Sequence, residues 1–213
     1  MTNKSKQARG QAQGWEVTMI ITLTGSSGAG KTTYCRELLG RKPNWKLVPS
    51  YTSRAPRQKD LPGEYVYNVG PEEFGRMATN NETVWQINEH GNTYATLRRD
   101  VEDAAKSPDV RLMLLAPDAV EILRETFARE EIMHFYLLSP PEAELRKRLA
   151  RRNLPEEEIE RRISDCKDWD HEIQWFEMTR YRFIPGDIKI NDAVDLLLRD
   201  YELHCYFQRR EPT

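Results

Sequence analysis

The chain has 213 residues, a length that suits one enzyme-sized unit with a small insertion, and its formal net charge of -2 excludes the overall positive field that holds a protein on nucleic acid. Hydrophobic residues make up 38% and charged residues 31%, so the core must come from short apolar runs while helices carry the polar excess. No run approaches the roughly 18 apolar residues of a membrane span, and Cys35, Cys166 and Cys205 are too far apart for paired metal or disulfide spacing. The expectation is a protein of the cytoplasm with reduced thiols and no membrane partner.

Residues 1–14 are polar, carry Lys4, Lys6 and Arg9, and meet no acid until Glu16. They read as a disordered tail, with a nucleic-acid arm as the alternative, and leave residues 15–213 as a single domain. Residues 17–24 form an apolar, β-branched run, and beyond Lys31 the spacing of Tyr34, Leu38 and Leu39 predicts a helix that Gly40 stops. Between them lies Gly25-Ser26-Ser27-Gly28-Ala29-Gly30-Lys31-Thr32, which fits G-x-x-x-x-G-K-S/T with a strand before it and a helix after it. Such a loop curls its N–H groups, through Thr33, toward one anion at a helix N-terminus. Lys31 is expected to reach the β and γ phosphates of ATP, and Thr32 to ligate Mg2+.

Residues 46–50 read as a second strand, followed by a polar loop that places Arg54 and Arg57 three apart around Pro56. Two guanidinium groups presented together can grip a phosphate bidentately, although two arginines in a polar loop are often merely solvated. Residues 64–96 shift to short alternating runs with a turn at His90-Gly91-Asn92, which predicts a small antiparallel insert spanning about 51–96, with a short helix packing Phe74 and Met77. The remainder alternates: helix 97–106, strand 110–115, helix 118–129, strand 132–138, helix 141–152, a helix opened by Pro155, strand 181–184 and a last helix capped by Asn191. Strands and helices in alternation imply a parallel sheet covered on both faces. The histidines lack metal-site spacing and read as structural or exposed.

The order of these motifs, with Thr52-Ser53-Arg54-Ala55-Pro56-Arg57 matching T-T/S-R-x-P-R and Gly91-Asn92-Thr93-Tyr94 matching G-N-x-Y, resembles the guanylate kinase family over residues 17–205. The resemblance implies a three-layer α/β P-loop NTPase fold with a five-stranded parallel sheet, an acceptor-binding insert and an arginine-bearing lid over residues 148–162. It implies transfer of the γ-phosphate of Mg·ATP to a nucleoside monophosphate. Arg54 and Arg57 would grip the acceptor phosphate with Tyr94 and with Tyr65 or Tyr67, of which Tyr67 is the expected contact. Ser50 would lie near the base, and Arg148, Arg152 and Arg162 would close on the moving phosphate.

The chain departs from the family where guanine is read. The family's glutamate ahead of the G-N-x-Y turn is replaced by Trp85, or by Val84 if the alignment slips one residue, and Leu112-Met113-Leu114-Leu115-Ala116 ends without the family's aspartate. Two buried guanine donors left unpaired cost about 1–3 kcal/mol each, which predicts an altered base preference. Gln86 could read another base, and Trp85 could stack on one or fill a core. Asp118 or Asp60 is a candidate to assist Mg2+, with Asp118 equally suited to starting a helix. The alternatives are a sugar-phosphate acceptor, as in ribose 1,5-bisphosphate kinase, which shares the fold and lacks the same acids, and a non-catalytic binding module, against which Lys31 and Thr32 argue.

Overall fold

The structure, a computed structural model, describes residues 19–128, 132–176 and 180–208; the tail expected at residues 1–14 lies outside them. Five strands form one parallel sheet in the order β2-β7-β1-β8-β9: β1 (Ile20–Thr24), β2 (Lys46–Leu47), β7 (Arg111–Leu115), β8 (Ile132–Leu137) and β9 (Arg182–Ile184). The central strand β1 is buried along its whole length, as a β-branched run covered on both faces must be. Its alternate side chains divide the core. Ile21 and Leu23 face α1 (Lys31–Arg41) and α7 (Ile190–Gln208), while Ile20 packs with Ala119, Val120 and Leu123 of α4 (Pro117–Thr126).

A second sheet has the order β4-β3-β6-β5, built from β3 (Ser50–Thr52), β4 (Tyr65–Val66), β5 (Thr83–Glu89) and β6 (Asn92–Leu97). Between these strands run α2 (Pro71–Thr79) and, after β6, α3 (Arg98–Ala105). The insert is antiparallel at β3–β6 and β5–β6 but parallel at β3–β4, which corrects the wholly antiparallel expectation. The strand expected at 46–50 is also two strands. Val48 N–H still donates to Leu112 in the main sheet, but Pro49 has no N–H to continue the ladder, and the chain crosses to the second sheet at Ser50.

Gly40 does not stop α1, which continues to Arg41; there Arg41 pairs with Glu37 at 2.8 Å, with Asp195, and with Asn191 at 3.1 Å. These contacts offset the weak helix propensity of glycine. Asn191, expected as a cap, lies inside the first turn of α7 and accepts from Arg41 instead. Two further helices, α5 (Glu142–Ala150) and α6 (Glu156–Phe176), form a hairpin closed by Leu145, Leu149, Ile159, Ile163 and Cys166. Among the described residues no helix is long and apolar enough to cross a membrane.

Candidate active site

The loop between β1 and α1 sits at the C-terminal edge of the parallel sheet, where the carboxyl ends of β1, β7 and β8 converge. Its glycines are required by geometry: at Gly25 (φ +145°) a Cβ would lie 2.5 Å from the Leu137 carbonyl oxygen, and Gly30 enters α1 with φ +112°. No side chain caps α1 and its first turn holds no acid, which leaves the positive end of its dipole at the loop, although the Thr33 N–H donates to the Gly30 carbonyl at 2.8 Å. Lys31 donates to the Gly25 carbonyl and, at 3.1 Å, to that of Ser26; burial pushes its ammonium down, against the pull of Glu89. Ser26 is held by Ser139 at 2.8 Å.

The α5–α6 hairpin brings three arginines to this loop. Arg148 donates to the Gly28 carbonyl at 3.3 Å, and Arg152 and Arg162 both donate to the Ser27 hydroxyl, at 3.0 and 2.9 Å. Arg162 is buried and is oriented from behind by Glu158 at 2.6 Å. Desolvation in the cleft, and then the charges of Arg57, Arg162 and Arg54, push the Arg152 guanidinium down even though its side chain reaches solvent. These four arginines therefore form a single field of positive charge.

On the facing wall Arg54 is 6% exposed, pairs with Asp60 at 3.0 Å, and lies 4.8 Å from the Tyr65 ring centroid and 5.7 Å from that of Tyr67. Burial works against its charge, but Asp60 together with Tyr94 and Tyr65 turns the net shift upward. One oxygen of Asp60 also accepts the Arg57 N–H at 2.7 Å and the Tyr67 hydroxyl at 2.9 Å, so this carboxylate organises the whole arginine loop. Arg57 itself is exposed at the mouth. Arg36 of α1 fixes the same loop by donating to the Lys59 carbonyl at 2.7 Å.

A cavity of about 620 Å³ joins the two walls and is lined by Lys31, Thr32, Arg54, Arg57, Arg148, Arg152 and Arg162, together with Ser50, Tyr65 and Tyr94. Tyr67 stands behind this surface as a prop for Asp60, with its phenol pushed up to about 12 by burial and that hydrogen bond; the tyrosine facing the cleft beside Tyr94 is Tyr65. Ser50 meets the Thr96 hydroxyl at 3.4 Å.

The base-reading expectations need correction at Gln86. Side chains alternate along β5, so Trp85, Ile87 and Glu89 reach the cleft while Gln86 is exposed outside it. Trp85 and Gln86 cannot serve one face. Trp85 is 5% exposed and packs with Val48, Met113, Leu115 and Ala119, so most of its ring belongs to the core and only an edge meets the cavity. Leu114, Leu115 and Ala116 complete an apolar floor where the family carries an acid.

Asp118 is exposed in the first turn of α4, outside the cleft lining, as a helix-starting acid would be. The carboxylate that does approach Thr32 is one that sequence reasoning misses. Glu64 is 4% exposed and accepts the Thr32 hydroxyl at 3.2 Å. Burial, as the largest influence, pushes its carboxyl up. Its signal in the sequence is an acid between Gly63 and Tyr65, beside a tyrosine that the family resemblance brings to the acceptor phosphate. Hydroxyl and carboxylate oxygens are the hard donors Mg2+ prefers, so these residues fit the ion; among the described residues no three His, Cys, Asp or Glu side chains gather into a site made of protein alone.

The family model described as guanylate kinase matches residues 17–197. The guanylate kinase of Geobacter sulfurreducens is 32% identical over 160 residues, covering 75% of this chain and 78% of the relative. That of Carboxydothermus hydrogenoformans is 32% identical over 196 residues, covering 91% and 90%. The crystal structure of guanylate kinase from Anaplasma phagocytophilum superposes with a TM-score of 0.66 at 22% identity, over 89% of this chain and 87% of that one, a likeness of fold.

Proposed function

The chain belongs to the guanylate kinase family of phosphotransferases, and we propose that it moves the γ-phosphate of ATP to a nucleoside monophosphate whose base is not read as guanine is. The observation that carries this reading is the pairing of two cationic walls, Lys31 with Arg148, Arg152 and Arg162 on one side and Arg54 with Arg57 on the other, across one cavity with an apolar floor at Leu115 and Ala116.

Phosphoryl transfer needs little covalent help from protein; it needs alignment and stabilisation of charge on the moving group. The loop N–H groups and Lys31 hold the donor phosphates, and Arg54, backed by Asp60, fixes the acceptor phosphate opposite. Arg152 and Arg162, tethered to Ser27 on the donor wall, with Arg152 near enough to feel the charges of Arg57 and Arg54, stabilise charge as it spreads over the transferring oxygens. Mg2+, when bound with ATP, neutralises phosphate charge, with Thr32 to hold it.

A second reading, a sugar phosphate as acceptor, is favoured by the loss of both base contacts: Gln86 faces away from the cleft, and Trp85 is largely spent on the core. Such an acceptor needs the arginine grip but no slot for a base. The test is ADP production with Mg·ATP against a panel of nucleoside monophosphates, including GMP and the pyrimidines, alongside ribose 1,5-bisphosphate. Turnover fastest with a monophosphate other than GMP is expected. GMP as the best acceptor would overturn the altered base preference, turnover of the sugar phosphate alone would replace the first reading with the second, and silence with every acceptor would refute both.

A further inference from the structure

We propose that Glu64 supplies the carboxylate of the Mg2+ site, acting through Thr32 as a positioning residue and adding the negative charge that the end of β7 lacks. The inference rests on the reading of the cleft as an ATP site and deepens it.

A threonine hydroxyl has one proton and two lone pairs. With the Thr32 proton donated to Glu64 Oε1 at 3.2 Å, both lone pairs of Oγ1 remain for a cation at the phosphate loop. Three backbone contacts lock Glu64 in this orientation. Its Oε2 accepts the Leu61 N–H at 2.8 Å, its N–H donates to the Leu61 carbonyl at 3.1 Å, and its carbonyl accepts the Ser50 N–H at 3.0 Å. The residue is only 4% exposed, yet its side chain faces the cleft beside Lys31 and Thr32.

The other carboxylates nearby are otherwise engaged or misplaced. Asp60 already accepts from Arg54, Arg57 and Tyr67, and Asp118 lies outside the cleft. Glu89 reaches the cleft and pulls on Lys31, but it lies 3.5 Å from His90, and the Thr32 hydroxyl donates to Glu64 instead. Partners that orient a metal-binding side chain change metal affinity by about 10- to 100-fold when removed.

The charge is removed by Glu64→Gln, whose amide can accept from only one of the two donors, Leu61 N–H or Thr32 hydroxyl, with its oxygen; its NH2 turned toward Thr32 would take a lone pair from the cation. The experiment measures ADP affinity by calorimetry with Mg2+ and with EDTA, using the full chain and no acceptor. In the wild type Mg2+ strengthens ADP binding. In Glu64→Gln the Mg2+-dependent gain is expected to fall about tenfold, with metal-free ADP affinity unchanged within about twofold. Glu64→Asp, which keeps the charge but withdraws it, serves if the first variant does not fold, and is expected to lose the gain severalfold.

A gain that survives in a folded variant, or metal-free and Mg2+-dependent affinities that fall together, would overturn the proposal and leave Glu64 a structural brace. Because no acceptor is present, a wrong acceptor assignment cannot produce either result. Failure of the wild type to bind ADP would refute the ATP-site reading along with the inference.

Discussion

Replacing Arg54 by methionine tests the division of labour between the two walls. Methionine keeps an unbranched stem for packing over Tyr65 but removes a charge that is 6% exposed and 3.0 Å from Asp60. Taking one partner from a buried ion pair costs about 3–5 kcal/mol when the other charge is left uncompensated. Asp60 retains the Arg57 N–H at 2.7 Å and the Tyr67 hydroxyl at 2.9 Å, so the loss of stability is expected nearer about 2 kcal/mol. A charge-assisted hydrogen bond to phosphate contributes about 1.5–3 kcal/mol, which corresponds to an increase of about 10- to 150-fold in acceptor KM. Steady-state ADP release, with each substrate varied in turn, should show that rise for the acceptor and an ATP KM within about twofold of wild type. Equal rises for both substrates, or no rise for either, would refute the assignment of Arg54 to the acceptor.

Lys31→Ala should lower kcat by at least about a thousandfold, because Lys31 is the cation of the phosphate loop itself; near-normal turnover in a coupled assay would remove it from the mechanism. Trp85→Ala should destabilise the fold by about 3–5 kcal/mol in denaturant titration, since the ring is 5% exposed; unchanged stability would instead make the ring available for stacking. His134 is buried beneath Thr22 and is held down to about 4 by burial and then by Arg124 and Arg182, against about 6.5 in the unfolded chain. As pH falls from about 6.5 to 4 the unfolded chain takes up this proton first, so up to about 3 kcal/mol of stability present above that window is lost within it. His134→Gln, which keeps a hydrogen-bond partner for Thr22, should flatten that stretch of the stability curve, and an unaltered slope would assign the acid sensitivity elsewhere.

Features set by fixed offsets are legible in the sequence. The phosphate loop is readable because a glycine-lined turn, a lysine and a hydroxyl can serve one anion only at that spacing, and the parallel sheet follows from apolar runs alternating with helices. The arginine pair becomes meaningful only through its position after that loop. Features set by pairing across the chain are not legible: Asp60 reads as a metal candidate and Glu64 as an ordinary loop acid, and only the folded turn aims the first at Arg54 and the second at Thr32. The crossing at Pro49 and the outward face of Gln86 follow from local rules, the missing N–H and the two-residue period, but applying those rules requires choosing a strand boundary and a face. An apolar run read through Pro49 merges β2 with β3, and a base pocket drawn from adjacent residues puts Trp85 and Gln86 on the same side.

The charges of the cleft also bear on the proposed change of base preference. Arg54, Arg57, Arg152 and Arg162 raise the positive potential around one space, and Asp60 pairs directly with Arg54 and Glu158 with Arg162. A phosphate entering this space gains from several cations at once, and the apolar floor of Leu115 and Ala116 lowers the local dielectric and so strengthens each of those attractions. On the proposed function both substrates bring phosphate to the cleft, so affinity would reside in the groups that react, with the remote end of the acceptor contributing mainly fit. In the proposed reaction Arg152 and Arg162 would gain most when charge lies on the group passing between the walls, which would favour the transition state over either bound substrate. The same distribution predicts tolerance for the acceptor's remote end: acceptors that differ in base or sugar should differ less in kcat/KM than acceptors that differ in phosphate charge. A series of matched phosphate and neutral analogues can measure that ordering, and the reverse order would place recognition in the apolar floor.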